Sequence, residues 1–349
     1  MTEREIMLCT MQHKGNPDNI VPYTVGFDCP ILQEKANKHY GKNWWEKTRQ
    51  FMHSPFGIST TGEKAIEGKP HYVRDIFGSI WYTGKLPWHL ETPVLPRPSF
   101  QGYAFPTLDD FVGDAERSNL KKHAKEENEK KPHLFNVINM GWGIFEQTWR
   151  IRGFEETMCD VAAEESFYAE LVDRVADLYV QMVKYCEDVE ADAFLFGDDW
   201  GSQQGILIGP AKWRKFIKPA WKKVYAEVHK QGKYAISHSC GSIYDIYPDL
   251  IEIGLDMHES VQPEAYGMNP FKLKEEFGDK IGFWGTLGSQ SVIPFWRPDE
   301  IKEHIRRLKK EMGKNGGYIL APAKPFQPET PIENAIAVID ALAEDGDLA

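Results

Sequence analysis

The sequence His238-Ser239-Cys240-Gly241 follows the short apolar run Tyr234-Ala235-Ile236. In a strand, side chains two apart point to the same face, so His238 and Cys240 converge on one point while Ser239 turns away. A thiolate beside a neutral imidazole suits Zn2+, whereas Mg2+ and Ca2+ prefer shells of oxygen. The competing reading makes Cys240 a small buried hydrophobe and His238 a core histidine satisfied by backbone, because two residues alone do not make a zinc site. Further ligands are sought at the next strand end, where His258, Glu259, Gln262 and Glu264 cluster. Alternation in a regular strand puts Glu259 on the face opposite His258, Gln262 and Glu264, although Pro263 interrupts that regularity. Glu264 and Gln262 are the expected additional metal ligands. His258 reads equally as a surface or core histidine and Glu259 as a solvated carboxylate.

Asp198 and Asp199 end the run Ala193-Phe194-Leu195-Phe196-Gly197, and adjacent strand residues face opposite ways, so at most one looks into a site. That carboxylate could bind substrate, position a metal-ligating histidine or act as general acid or base; capping of loop backbone is the alternative. Lys324, at another strand end, is placed to pair with a substrate carboxylate or with such an aspartate, and is grouped with Asp198 and Asp199 as a catalytic candidate. Trp200 and Trp284 are candidate pocket walls, with core packing as the default for any tryptophan.

These residues need elements that bring strand ends together. From residue 192 onward, short apolar runs alternate with amphipathic segments, the pattern of βα units around a parallel sheet. Strands are predicted at 134–140, 193–197, 234–238, 256–261, 281–285 and 318–321, with two more before residue 130 that the pattern does not locate. Helices are predicted at 210–231, 271–277, 298–312 and 331–342, the last with Pro331 near its first turn, where a missing N–H costs nothing. Ser242 and Asp245 have the spacing of a capping box that would start a helix running through Leu250 and Ile253 to Gly254. The predicted fold is α/β, a (β/α)8 TIM barrel in which residues 1–130 supply an elaborated N-terminal cap and the first barrel elements, and 131–349 the main part of the same domain. Residues 72–82 read as a hairpin in that cap, and the mixed charge run 121–131 as a solvated helix or loop. Barrel active sites assemble at the C-terminal strand ends, where His238 and Cys240 lie.

A chain of 349 residues fits one such barrel domain. Its net charge of −11 opposes phosphate backbones and anionic lipid, and it has no apolar run of the ~18 residues a membrane span needs. The N-terminal residues lack the pattern of a secretory signal, and five cysteines without a CxxC pair read as reduced thiols; a cytoplasmic location is expected. Aromatic residues make up 13%, with 11 tryptophans, enough for a stacking pocket as well as a core.

The stretches Phe196-Gly197-Asp198-Asp199-Trp200-Gly201-Ser202-Gln203, His238-Ser239-Cys240-Gly241, Val261-Gln262-Pro263-Glu264, Phe283-Trp284-Gly285 and Gly317 to Pro322, together with Phe145-Glu146 through Trp149-Arg152-Gly153-Phe154, follow one another as barrel strand ends should. From about residue 130 onward the chain thereby resembles the uroporphyrinogen-decarboxylase-like superfamily, which includes corrinoid-dependent methyltransferases. The resemblance implies that the HxCG motif marks the zinc-bearing methyltransferase branch, with Zn2+ as cofactor and a corrinoid (cobalamin) carried by a separate protein. Implied partners are that corrinoid carrier protein and a small-molecule methyl donor, with no nucleic acid, no membrane, and room for a homodimer. The decarboxylases grip substrate carboxylates with an arginine-rich N-terminal motif, whereas the first fifty residues here hold only Arg4 and Arg49. The relatives that methylate a thiol carrier have a third zinc ligand, a cysteine, after the last strand. This chain has Ala321-Pro322-Ala323-Lys324-Pro325 there, and a charged lysine cannot coordinate a metal. The expected activity is therefore transfer of a methyl group from a methoxylated donor, aromatic ethers included, to the cobalt of a corrinoid protein. Methylcobalamin-to-thiol transfer, decarboxylation and a non-catalytic ligand-binding barrel are the alternatives.

Overall fold

The computed structural model describes residues 1–343, with the side chains of all of these except residues 46, 47 and 114–118; residues 344–349 of the expected barrel span lie outside the described residues. Eleven strands are seen among them: β1 (Met52–Gly57), β2 (Lys64–Ala65), β3 (Tyr72–Arg74), β4 (Ile80–Tyr82), β5 (His89–Thr92), β6 (Phe135–Trp142), β7 (Ala193–Gly197), β8 (Tyr234–His238), β9 (Met257–Val261), β10 (Gly282–Leu287) and β11 (Tyr318–Pro322). Seven of them form one parallel sheet in the order β1-β6-β7-β8-β9-β10-β11, each strand beside its successor in the sheet. The two strands that sequence patterning did not locate are β1 and a segment at Tyr23, which bridges in parallel to Leu320 of β11. Thr24 N donates to Leu320 O at 3.0 Å and Leu320 N to Pro22 O at 2.9 Å. That segment takes the eighth barrel position, and the architecture is the α/β, TIM-barrel type. It escaped detection because a single bridge needs no alternating run of residues.

The outer helices are amphipathic for a readable reason. In Pro298–Met312 the buried residues are Ile301, Ile305, Leu308 and Met312, one stripe at helical spacing. The helix expected at 210–231 is instead Pro210–Lys212, a π turn at Trp213–Ile217 and an α-helix at Lys218–Lys230. Pro219 has no N–H to return to the preceding turn and its ring crowds the carbonyl four residues back, which the wider turn relieves. The capping box at Ser242 and Asp245 does not form. A 3-10 turn occupies Tyr244–Ile246 and the helix begins at Tyr247 with Pro248 in its first turn, where a missing N–H costs nothing, while Ser242 is held in a bridge to Ser202.

Between β1 and β6 the chain makes a separate antiparallel sheet, β2-β3-β4-β5. Its β3–β4 pairing, Tyr72 opposite Tyr82, is the expected hairpin. This sheet is fastened to the helix Ile144–Arg152, which leaves the C-terminal end of β6: Ser79 Oγ donates to Arg150 O at 2.8 Å, and Arg150 pairs with Glu63 at 3.0 Å. The small sheet thus stands on the face where the strands end. Among the described residues no helix is long and apolar enough to cross a membrane.

Candidate metal centre at the strand ends

Sheet register aligns the inward side chains. His238 of β8 lies opposite Gly197 of β7 and Glu259 of β9, and Glu259 opposite Trp284 of β10. Neighbours in register in a parallel sheet share a face, so His238, Glu259 and Trp284 form one row across three strands. Past the end of β8, Gly241 turns the chain with φ +73, and an added Cβ would stand 2.5 Å from Ser202 O. That is why glycine closes the His-Ser-Cys-Gly sequence.

His238, Cys240 and Asp199 meet here. His238 Nε2 is 3.1 Å from Cys240 Sγ and 3.4 Å from Asp199 Oδ1, and Asp199 Oδ1 also accepts from Cys240 N at 2.7 Å. The three ligand atoms all lie within 4.8 Å of one another. On the other side of the ring, His238 Nδ1 faces Glu259 Oε2 at 2.5 Å, which turns Nε2 toward the thiol and the aspartate. Burial works against protonating His238, but its hydrogen bonds to Asp199, Cys240 and Glu259 overcome this and push it up to about 12. Burial likewise opposes ionising Asp199, yet the His238 contact and the Cys240 N–H hold it well below the usual carboxylate range. Lys324 donates to Cys240 Sγ at 2.7 Å; burial lowers its pKa, and the pairing with Cys240 and the charges of Asp199 and Glu259 more than reverse that.

The donor set fits zinc. Bonds of ~2.0 Å to nitrogen and ~2.3 Å to sulfur at a tetrahedral angle separate two ligand atoms by about 3.5 Å. His238 Nε2 and Cys240 Sγ need part by only a few tenths of an ångström to reach that. One sulfur, one nitrogen and one carboxylate oxygen leave a fourth position open, the pattern of catalytic zinc, and Glu259 supplies the carboxylate that such a histidine needs on its other nitrogen.

The third donor is Asp199, where Glu264 and Gln262 were expected. Gln262 Oε1 accepts from Gly241 N at 2.8 Å, and Glu264 Oε1 accepts from Gln290 N, Ser291 N and Ser291 Oγ at 2.9, 3.0 and 2.9 Å. Both side chains secure loops around the mouth, because the loop N–H groups of Gly241, Gln290 and Ser291 take up their Oε1 acceptors. Asp198 faces the helix layer. It is fully buried and accepts from Phe145 N, Glu146 N, Trp200 Nε1 and Trp221 Nε1 at 3.1, 2.9, 2.7 and 2.8 Å; burial raises its pKa and these donors oppose the rise. Its role here is to cap the helix Ile144–Arg152, not to touch a substrate. Trp200 is buried with it, edge-on to Trp213 and Trp221, and lies behind the strand instead of forming a pocket wall. Trp284 is half-buried in the inward row and donates to Thr24 Oγ1 at 3.1 Å.

Two residues named in the sequence without a role at the metal cluster join the site. Glu259 reads as solvated in the sequence, and its pairing with His238 depends on register across two strands. Glu146, in the first turn of the helix that Asp198 caps, carries a buried carboxyl pushed up by burial and by the charges of Asp198 and Asp199. A Phe-Glu pair opening a helix looks like any acidic first turn.

Comparison with known proteins places the chain among relatives. Residues 123–344 match the family model described as uroporphyrinogen decarboxylase (URO-D). The uroporphyrinogen decarboxylase of Bacillus cereus (strain B4264) is 26% identical over 184 residues, covering 51% of this chain and 48% of that relative. That of Bacillus anthracis is 25% identical with the same coverage. The chain spans about half the length of the curated relatives it matches. A solved methyltransferase from Methanosarcina mazei shares the fold with a TM-score of 0.68 and 19% identity, over 99% of both chains.

Proposed function

Because the chain belongs to the uroporphyrinogen decarboxylase (URO-D) family, we propose that it is the branch of that family that moves methyl groups: a zinc-dependent methyltransferase taking methyl from a methoxylated donor to the cobalt of a corrinoid carried by a separate protein. The observation that supports this reading is the Asp199, His238 and Cys240 cluster, with Glu259 behind the histidine. Zinc held by these three would act as a Lewis acid on the ether oxygen, the poor leaving group of the reaction. In such a transfer the methyl C–O bond would break with its electron pair left on oxygen, which would take a proton from solvent, and the cobalt(I) of the acceptor would supply the pair for the new bond to carbon.

The chain's own residues set the conditions. Glu259 fixes the imidazole so that Nε2 is the free ligand atom. Asp199 brings negative charge that favours a divalent ion, Cys240 offers a sulfur donor beside it, and the Lys324 ammonium stands 2.7 Å from that sulfur. Lys324 also favours demethylation over thiol methylation, because it stands on Cys240 where the thiol-methylating relatives would bring another cysteine. Decarboxylation is disfavoured by the two N-terminal arginines, which are committed elsewhere: Arg4 to Asp192 at 2.8 Å and Arg49 to Glu3 at 3.2 Å.

The test is zinc content of the purified protein followed by incubation with cob(I)alamin and a panel of methoxylated compounds, watching for the spectrum of methylcobalamin. Stoichiometric zinc and methyl transfer, both abolished in His238→Ala and Cys240→Ala, are expected. A metal-free protein whose behaviour is unchanged by those substitutions would sink the proposal, and binding without transfer across the panel would leave a ligand-binding barrel.

A further inference from the structure

A second feature of the same face lies outside the metal cluster. A cavity of ≈ 970 Å³ is lined by Trp81, Trp88, Trp142, Trp149, Arg150 and Phe154, among others. The size is that of a small-molecule site. Trp149 is at its centre, edge-on to Trp81 at 6.1 Å, to Trp142 at 6.0 Å and to Phe154 at 6.2 Å between ring centroids. Trp88, Trp142 and Phe154 are 45%, 41% and 49% exposed, so the aromatic lining is open to a ligand. Trp142 is the last residue of β6 and lies opposite Gly197 of β7, two residues before Asp199. The next residue, Gly143, packs so closely on that strand that a Cβ would stand 2.0 Å from Gly197 O. The cavity and the metal cluster therefore share the β6–β7 strand ends.

The charges in the cavity narrow the ligand. The Arg150 guanidinium carbon lies 4.2 Å over the Trp81 ring and 4.9 Å over the Trp142 ring, so the faces that would attract an external cation already carry one. A free carboxylate fares no better. Arg150 is paired with Glu63 at 3.0 Å and faces Asp75 at 3.8 Å, Arg152 is paired with Asp160 and Glu156, and Glu155 also lines the wall. With both signs of charge already paired within the wall, an uncharged aromatic ring is what the exposed tryptophan and phenylalanine rings are left to pack against.

We propose that this tryptophan cavity is the donor subsite and that it takes an uncharged aromatic ring, selected over anionic rings, saturated rings and quaternary ammonium ions. This rests on the methyl-transfer reading for the word donor, but ring binding can be measured without any transfer.

The experiment is calorimetric titration of the full-length chain with 2-methoxyphenol, 2-methoxycyclohexanol, 3-methoxybenzoate and tetramethylammonium, repeated with Trp142→Ala and Trp88→Ala, both at exposed rings where the fold has least to lose. The aromatic ether should bind about tenfold more tightly than its saturated counterpart, and each substitution should weaken it about five- to tenfold. Equal affinity for the saturated ring, preference for the benzoate or the ammonium ion, absence of ring binding, or binding unchanged in both variants overturns the proposal. The cob(I)alamin assay separates the two ideas. Ring binding without methyl transfer keeps the cavity and removes the reaction, whereas transfer untouched by both substitutions keeps the reaction and removes the cavity.

Discussion

Glu259 offers the most direct handle on the metal centre because it touches the histidine and lies outside the three-residue ligand group. Its Oε2 stands 2.5 Å from His238 Nδ1, a charge-assisted hydrogen bond of the kind that contributes about 1.5–3 kcal/mol net. Removing the carboxylate frees the ring to rotate and lowers the basicity of Nε2. If most of that energy is expressed in the metal-bound state, zinc affinity falls by a factor of about 10–150, consistent with the ~10–100-fold typical of groups that orient a ligating histidine. Glu259→Ala should show that full loss in a competition titration against a chromophoric chelator. Glu259→Gln, which keeps an acceptor oxygen but not the charge, should fall between Ala and wild type, and Cys240→Ser should lose more than either. An Ala variant that binds zinc within about twofold of wild type would refute the claim that Glu259 positions His238 for a metal.

Three further outcomes follow from the geometry. Lys324→Met removes a positive charge 2.7 Å from the Cys240 sulfur, and the same titration should show zinc affinity rising by about tenfold or more from relief of like-charge repulsion. His258 is fully buried, between Tyr247 Oη at 2.7 Å and Ser239 O at 3.0 Å, and burial pushes its pKa down to about 4. A histidine depressed from ~6.5 in the unfolded chain stabilises the fold fully above pH ~6.5; as pH falls toward 4 the unfolded chain binds a proton that the native one refuses, and about 3 kcal/mol is lost. Urea denaturation of wild type and His258→Gln at pH 7.5 and 4.5 measures this: the difference in stability between the two pH values should shrink in the variant. Asp198→Ala strands four buried donors and should cost at least about 3 kcal/mol, read as a lower urea midpoint, whereas a fully stable variant would contradict the capping role.

The barrel was legible where strands repeat and helices show an apolar stripe. β7, β8 and the helix at 298–312 fall where the residue pattern put them, because each carries its own burial signal. The segment at Tyr23 makes one bridge and has no pattern of its own, so only closure of the sheet against β11 reveals it. The site divides in the same way. His238 and Cys240 are two apart on one strand, and local alternation suffices to bring them together. Asp199 needs the additional knowledge that Asp198 is drawn the other way, and the reason is two indole N–H groups, those of Trp200 and Trp221, together with a helix N-terminus. Glu259 belongs to the next strand, and whether it meets His238 or solvent is decided by inter-strand register, which no local pattern in one sequence encodes. The meeting of His238 and Cys240 can thus be read from the chain alone, while the carboxylate that orients the histidine is a property of the assembled sheet. This makes Glu259, rather than His238 or Cys240, the residue whose substitution tests the three-dimensional site.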